Sequence, residues 1–238
     1  MRVFLILGVS FLFFSCQKEV QLVKAGRTVD STVVDHSPVY LFMETKGTDT
    51  IIDVNRKNTI GTTNWIFNID KRLPLKLVIP EVIKLQQKRE GAQLHKNEDA
   101  KNYFSYTDSV QKTLAFMSFK EISYAYNSYF SSFYVKENVD YHQHFQTFYV
   151  NFRKDSTVSV DGNEVEANEL FDFLKEYTAF SGQGKRILIY LNFDEDLSFD
   201  NYLSKVIWLK ELEHETCTIA PTHFIYNLKK LPDCNCTL

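Results

Sequence analysis

Four groupings of side chains in this 238-residue chain have types and spacings that could do chemistry. His142 and His144 sit two apart in a segment that reads as extended, which would turn both imidazoles to one side, with Asp140 as the nearest further ligand. Two imidazoles do not complete a metal site. His214, Cys217, Cys234 and Cys236 have the ligand types of zinc or copper, but an exported chain oxidises such cysteines. The expected state is a disulfide tying the tail to Cys217, from Cys234 or alternatively Cys236, with one thiol left free. Asp70 and Asp194 each follow an apolar run and precede a helical pattern. A carboxylate there accepts backbone N–H groups at the helix start, so both read as structural turn residues. Gly182 and Gly184 form an isolated GxG with no third glycine and no helix behind it, hence a flexible connection. The sequence has no phosphate loop, no HExxH, no GxSxG and no nucleophile beside an evident base. A non-enzymatic protein is expected, with no catalytic residue, metal or cofactor.

Cys16 carries chemistry of another kind. Arg2, the apolar stretch 3–14, and Ser15 ahead of Cys16 have the order of a bacterial lipoprotein signal, and an apolar run this short cannot span a bilayer. Residues 1–15 read as the signal peptide and Cys16 as the lipidated N-terminus at the outer membrane. The protein would face the periplasm, with the cell surface as the alternative. Without the leader, 26 basic residues stand against 30 acidic ones, a net charge of −4 with no basic stripe. Nucleic acid is therefore not an expected partner, and the membrane is met through the lipid only. Residues 16–37, poor in aromatics and without a sustained period, read as a tether.

The remainder, in a chain 44% hydrophobic and 15% aromatic, can build a core. A first domain, 38–140, is expected to hold short strands at 39–43, 50–54 and 65–69, a helix at 75–87, and a long aromatic helix over 107–134. A second, 141–238, opens with an alternating strand at 145–152 that pairs with 156–160. It continues through a helix near 168–177, a doubly covered strand at 187–191, a helix from Phe199 capped by Ser198, and a closing strand at 222–228. The fold class expected is α+β: two small two-layer domains, each a short sheet with helices on one face.

The second half resembles a known family. Val160, Asp161, Gly162, Val165, Leu170, Leu174, Ile189, Leu191, Asp194, Leu197, Phe199 and Val206 match, over 147–228, the pattern of the periplasmic domain of ExbD and TolR. That family runs strand, Asp-Gly turn, short strand, helix, strand, acidic turn and second helix. Shifting the chain by 124 residues lays 68–85 on 192–209 without a gap. Asn68/Asn192, Asp70/Asp194, Leu73/Leu197, Val82/Val206, Ile83/Ile207 and Leu85/Leu209 are then identical, which reads as a degenerate tandem repeat. The first copy lacks a clear Asp-Gly turn and first helix, and Pro74 and Pro80 restrict its helix start. The resemblance implies a non-enzymatic, lipid-anchored binding module of the cell envelope, accessory to a TonB/Tol-type system, that holds an envelope protein segment or peptidoglycan. It does not extend to proton-driven activity, which in that family belongs to a transmembrane helix. Strand addition is the expected mode, with Tyr149 and Ile225 on the edge strands that would receive a partner. A homodimer is possible on this reading, and a small-molecule or metal-binding lipoprotein is the alternative.

Overall fold

The computed structural model describes residues 18–91, 97–126, 129–182 and 184–230. In chain order the elements are β1 (Lys24–Ala25), β2 (His36–Lys46), β3 (Asp49–Asn55), β4 (Asn64–Ile69), α1 (Leu75–Glu90), β5 (Asn102–Asp108), β6 (Thr113–Ser118), β7 (Ser123–Tyr126), α2 (Ser131–Glu137), α3 (Val139–His142), β8 (Phe145–Phe152), β9 (Val158–Val160), β10 (Asn163–Val165), α4 (Leu170–Ser181), β11 (Arg186–Asp194), α5 (Phe199–Leu209), β12 (Cys217–Ile219) and β13 (Thr222–Tyr226). They form two mixed sheets with helices, so the α+β class holds.

The two sheets repeat one plan. The first runs β3-β2-β4-β5, and the second runs β9-β8-β11-β13. In each, an antiparallel hairpin is followed by two parallel strands joined through a helix, α1 in one and α5 in the other. The second half also has α4 between hairpin and central strand, where the first has only the loop 56–63. The Asp161-Gly162 pair joins β9 to β10 with both residues at positive φ, 49° and 85°, the two-residue turn that an Asp-Gly sequence favours. Asn68 and Asn192 do the same work in both copies: each side-chain amide donates across to a valine carbonyl of the neighbouring strand, Val39 and Val150.

The copies meet at their equivalent turns about a local two-fold. Leu75 N–H donates to Leu197 C=O, and Phe199 N–H to Leu73 C=O, both at 2.8 Å. Lys76 N–H donates to Glu195 C=O at 2.8 Å, and Asp200 N–H to Lys71 C=O at 2.9 Å. Adding 124 to one partner set gives the other, which is the reciprocity of an isologous contact made inside one chain. These bonds satisfy the first N–H groups of both helices, which have no partner within the helix. Pro80, inside α1, frees the carbonyl of Lys76 from its helical partner, and the Tyr126 hydroxyl of β7 approaches that carbonyl at 3.4 Å.

One contiguous apolar core spans both halves. Phe199 packs edge-on to Phe104 of the first sheet, while Tyr202, one turn on, packs edge-on to Phe193 of the second. Helix α5 thus lies between the inner faces of the two sheets.

Several sequence expectations fail here for identifiable reasons. Residues 107–134 do not form a long helix: they make the end of β5, then β6, β7 and the start of α2. Asp108 takes the N–H groups of Val110 and Gln111 on one carboxylate oxygen, which turns the chain out of any helical path. Beyond it, Ala115, Met117 and Phe119 alternate into the core at period two. β7 pairs with β13, so the second sheet recruits chain well before residue 141, the expected boundary. Nor are residues 18–37 a tether. Val23 is fully buried, β1 pairs with β5, and Asp30 exchanges both backbone bonds with Phe116. Finally, the second sheet is covered on both faces, because α2 and α3 lie on its outer side against Leu188, Tyr190 and Phe224.

Candidate binding face

Asp70 and Asp194 occupy equivalent turns, and each accepts the backbone N–H two residues on, from Arg72 (3.1 Å) and Asp196 (2.8 Å). They are turn formers rather than helix caps. The cap of α5 is Ser198, whose hydroxyl accepts from Asn201 N–H, and α1 follows Pro74 with no side-chain cap. Asp70 is fully buried and gripped by the Arg72 guanidinium at 2.8 and 2.7 Å. Burial pushes its carboxyl up, but the bonds and charge of Arg72 outweigh that and hold it below the usual carboxylate range.

Neither predicted edge strand is an edge. β8 pairs with β11 on one side and β9 on the other, and β13 lies between β11 and β7. Tyr149 N–H donates to the Asp161 carboxylate and its C=O accepts from Asp161 N–H, while Ile225 is fully buried. The short, alternating runs that suggested edges are equally those of central strands in a small sheet, because β7 arrives from a segment with no strand signal of its own. Tyr149 and Ile225 therefore cannot receive a partner strand.

The outer face of the second sheet gathers aromatic residues instead. Tyr190 of β11 stacks on Tyr149 and meets Tyr134 of α2 edge-on. His142 closes the group: one ring nitrogen bonds the Tyr190 hydroxyl at 2.6 Å and the other the Asn138 carbonyl at 2.7 Å. Burial, and then the neighbouring phenols of Tyr134, Tyr141 and Tyr149, push the Tyr190 hydroxyl well above its ordinary range. With both nitrogens used, His142 pins α3 to the sheet, and His144 is exposed beyond it. The expected extended His142/His144 pair is not formed, since His142 ends a helical turn. Outward from this anchor the face is apolar and wet: Tyr134 is 37% exposed, Tyr141 59% and Val139 60%, and Phe145 lies between the Tyr141 ring and the Arg186 guanidinium.

Cys217 is buried in β12, a free thiol among the described residues, pushed up by burial and by the charge of Glu213. Its expected partners, Cys234 and Cys236, lie outside the described residues, as does Cys16. His214 pairs its backbone with Cys217 but turns its ring to Thr216.

A buried chain of hydroxyls crosses the core, from Tyr124 to Tyr202 (3.1 Å) and on to His223 Nδ1 (2.9 Å). His223, fully buried behind this bond, is a neutral imidazole when the protein is folded. Burial, assisted by Lys210, lowers its pKa to about 3. A histidine whose folded pKa is depressed gains protons on unfolding, so stability is lost as pH falls from about 6.5 toward 3. Moving from neutral pH to about pH 4.5 is expected to cost about 2–3 kcal/mol through this residue. Urea midpoints of wild type and His223→Asn across that range check it: the wild type should lose the larger increment.

Compared with family models, curated proteins and solved structures, the chain matches none.

Proposed function

We propose that this protein is a lipid-anchored, non-catalytic binding module of the cell envelope, held at the outer membrane through Cys16 and facing the periplasm. It presents the exposed aromatic surface of α2 and α3, which cover the outer side of its second sheet, to an envelope partner, a protein segment or peptidoglycan. The observation that carries the reading is that face: solvent-exposed Tyr134, Val139 and Tyr141 beside Phe145, held rigid from behind by the His142–Tyr190 bond. Exposed apolar area on a rigid support marks a contact surface, and tyrosines supply contact area at low entropic cost. We read each half as one ExbD/TolR-like unit. The order β8, β9, β10, α4, β11, α5 supports that reading, and so does the reciprocal contact of the two turns. An accessory role in a TonB/Tol-type system follows from the resemblance.

Two readouts on one set of variants test the proposal. Palmitate label should enter the wild type and not Cys16→Ser. Pull-down from detergent-solubilised envelope and co-sedimentation with sacculi should both be compared between wild type and Val139→Ala/Tyr141→Ala, the two most exposed positions of the face, which should lose about tenfold in capture with little change in the melting curve. Equal labelling rejects the anchor; equal capture in both assays rejects the face.

A further inference from the structure

A second feature lies away from the aromatic face. Between the turn that joins β8 to β9 and the first two turns of α5 is a cleft of about 130 Å³. Its walls are apolar, from Phe152, Val158, Ala167 and Leu197, and its mouth carries Arg153 and Lys205 with no acidic side chain among the lining residues. Lys205 is partly buried and sits 5.2 Å from the Trp208 ring centroid. No carboxylate among the described residues is paired with it, and burial alone lowers its pKa. Arg153 has a 4.0 Å approach from the solvent-exposed Glu164 and feels the charge of exposed Asp155 in its own turn, neither of which lines the cleft. A cation removed from water without a counter-charge is costly, and an incoming anion relieves that cost.

The repeat supplies an internal comparison. At the position of Lys205 the first copy has Glu81, engaged with Lys84, and at the position of Asn201 it has Leu77, packed on the core. The cationic cleft is therefore particular to the second copy rather than a by-product of the shared fold.

We propose that this cleft binds a small carboxylate bearing a short apolar group. Lys205 and Arg153 hold the carboxylate and the apolar walls enclose the remainder. The volume equals about four water molecules, room for a carboxylate and two or three carbons. Charge-assisted bonds from two cations set the orientation, and the fork of Arg153 matches the two oxygens. A free short-chain acid and the C-terminal residue of a peptide share this chemistry. The site is independent of the envelope-binding reading.

Calorimetric titration of the detergent-solubilised full chain tests it, with butyrate, butyramide, N-acetylalanine and N-acetylalanine amide as probes. Binding of butyrate or N-acetylalanine, but of neither amide, is expected. Lys205→Met should weaken it about tenfold or more, Arg153→Gln should weaken it also, and Lys84→Met on the exposed side of α1 should not. Butyrate alone binding identifies a free acid as the ligand class, and N-acetylalanine alone a peptide end. No heat from either acid at millimolar concentration, equal response to acid and amide, or full retention in Lys205→Met each overturns the proposal.

Discussion

Replacing Ile225 with proline is expected to unfold the protein. β13 is inserted between β11 and β7 and runs parallel to both, with Phe193 opposite Ile225 on one side and Tyr126 on the other. Proline removes a ladder donor that no solvent can replace at that depth, and its ring cannot follow a central strand without breaking the register. The Ile225 side chain is fully buried in the shared core, so its loss adds a cavity cost to the backbone cost. Together these are on the order of 5 kcal/mol or more, most of the stability of an ordinary domain. Tyr149→Pro is the milder companion: its N–H goes to the Asp161 side chain rather than to a strand, so an aspartate bond is lost while the β8–β11 pairing is left in place. Circular dichroism melts of the two variants decide the matter. A folded Ile225→Pro protein with an unchanged midpoint would return β13 to the edge of its sheet.

The contrast between these strands shows which parts of the fold could be read from residues alone. The central unit was legible: Ile187–Leu191 is apolar on both faces and lies inside β11, Ser198 caps, and the spacing of Phe199, Tyr202, Leu203, Val206 and Ile207 faces one way, which is how α5 packs. The repeat was legible too, because its identities fall on Asn68/Asn192 and Asp70/Asp194, whose side chains bond the backbone in both copies. Sheet order was not. Whether a strand is central depends on which distant segment lies beside it, and β7 is four residues, Ser123–Tyr126, inside a stretch whose aromatics also fall at helical spacing. The same holds for residues 18–37, where Val23 is anchored by contacts with chain about 80 residues away that no local pattern reports. The aromatic face was half visible: the sequence gathers tyrosines and phenylalanines near 129–145, but the His142–Tyr190 bond that fixes them joins residues 48 apart. The cleft at Lys205 was invisible, because it exists only where the β8–β9 turn meets α5.

Truncating Phe199 is the second large effect expected, and it bears on how the halves cohere. Phe199 is fully buried at the start of α5, tilted against Tyr202 and edge-on to Phe104 of the other sheet, and its N–H closes the reciprocal bond to Leu73. Phe199→Ala removes the ring while keeping that N–H, so its cost of about 3–5 kcal/mol reports the packing of the ring, on Phe104 across the copies and on Tyr202 within α5, and not the reciprocal bond. Leu75 is the equivalent residue of the first copy, also fully buried, and Leu75→Ala should cost about 2–5 kcal/mol. Because one core runs through both sheets and the first N–H groups of each helix are satisfied by the other copy, neither half can open without exposing the groups of its partner. Both variants are therefore expected to shift a single transition, with near- and far-ultraviolet dichroism moving together and the urea slope unchanged. Two separated transitions, with Leu75→Ala moving one and Phe199→Ala the other, would instead establish two independently stable domains and reduce the reciprocal turn bonds to a docking contact.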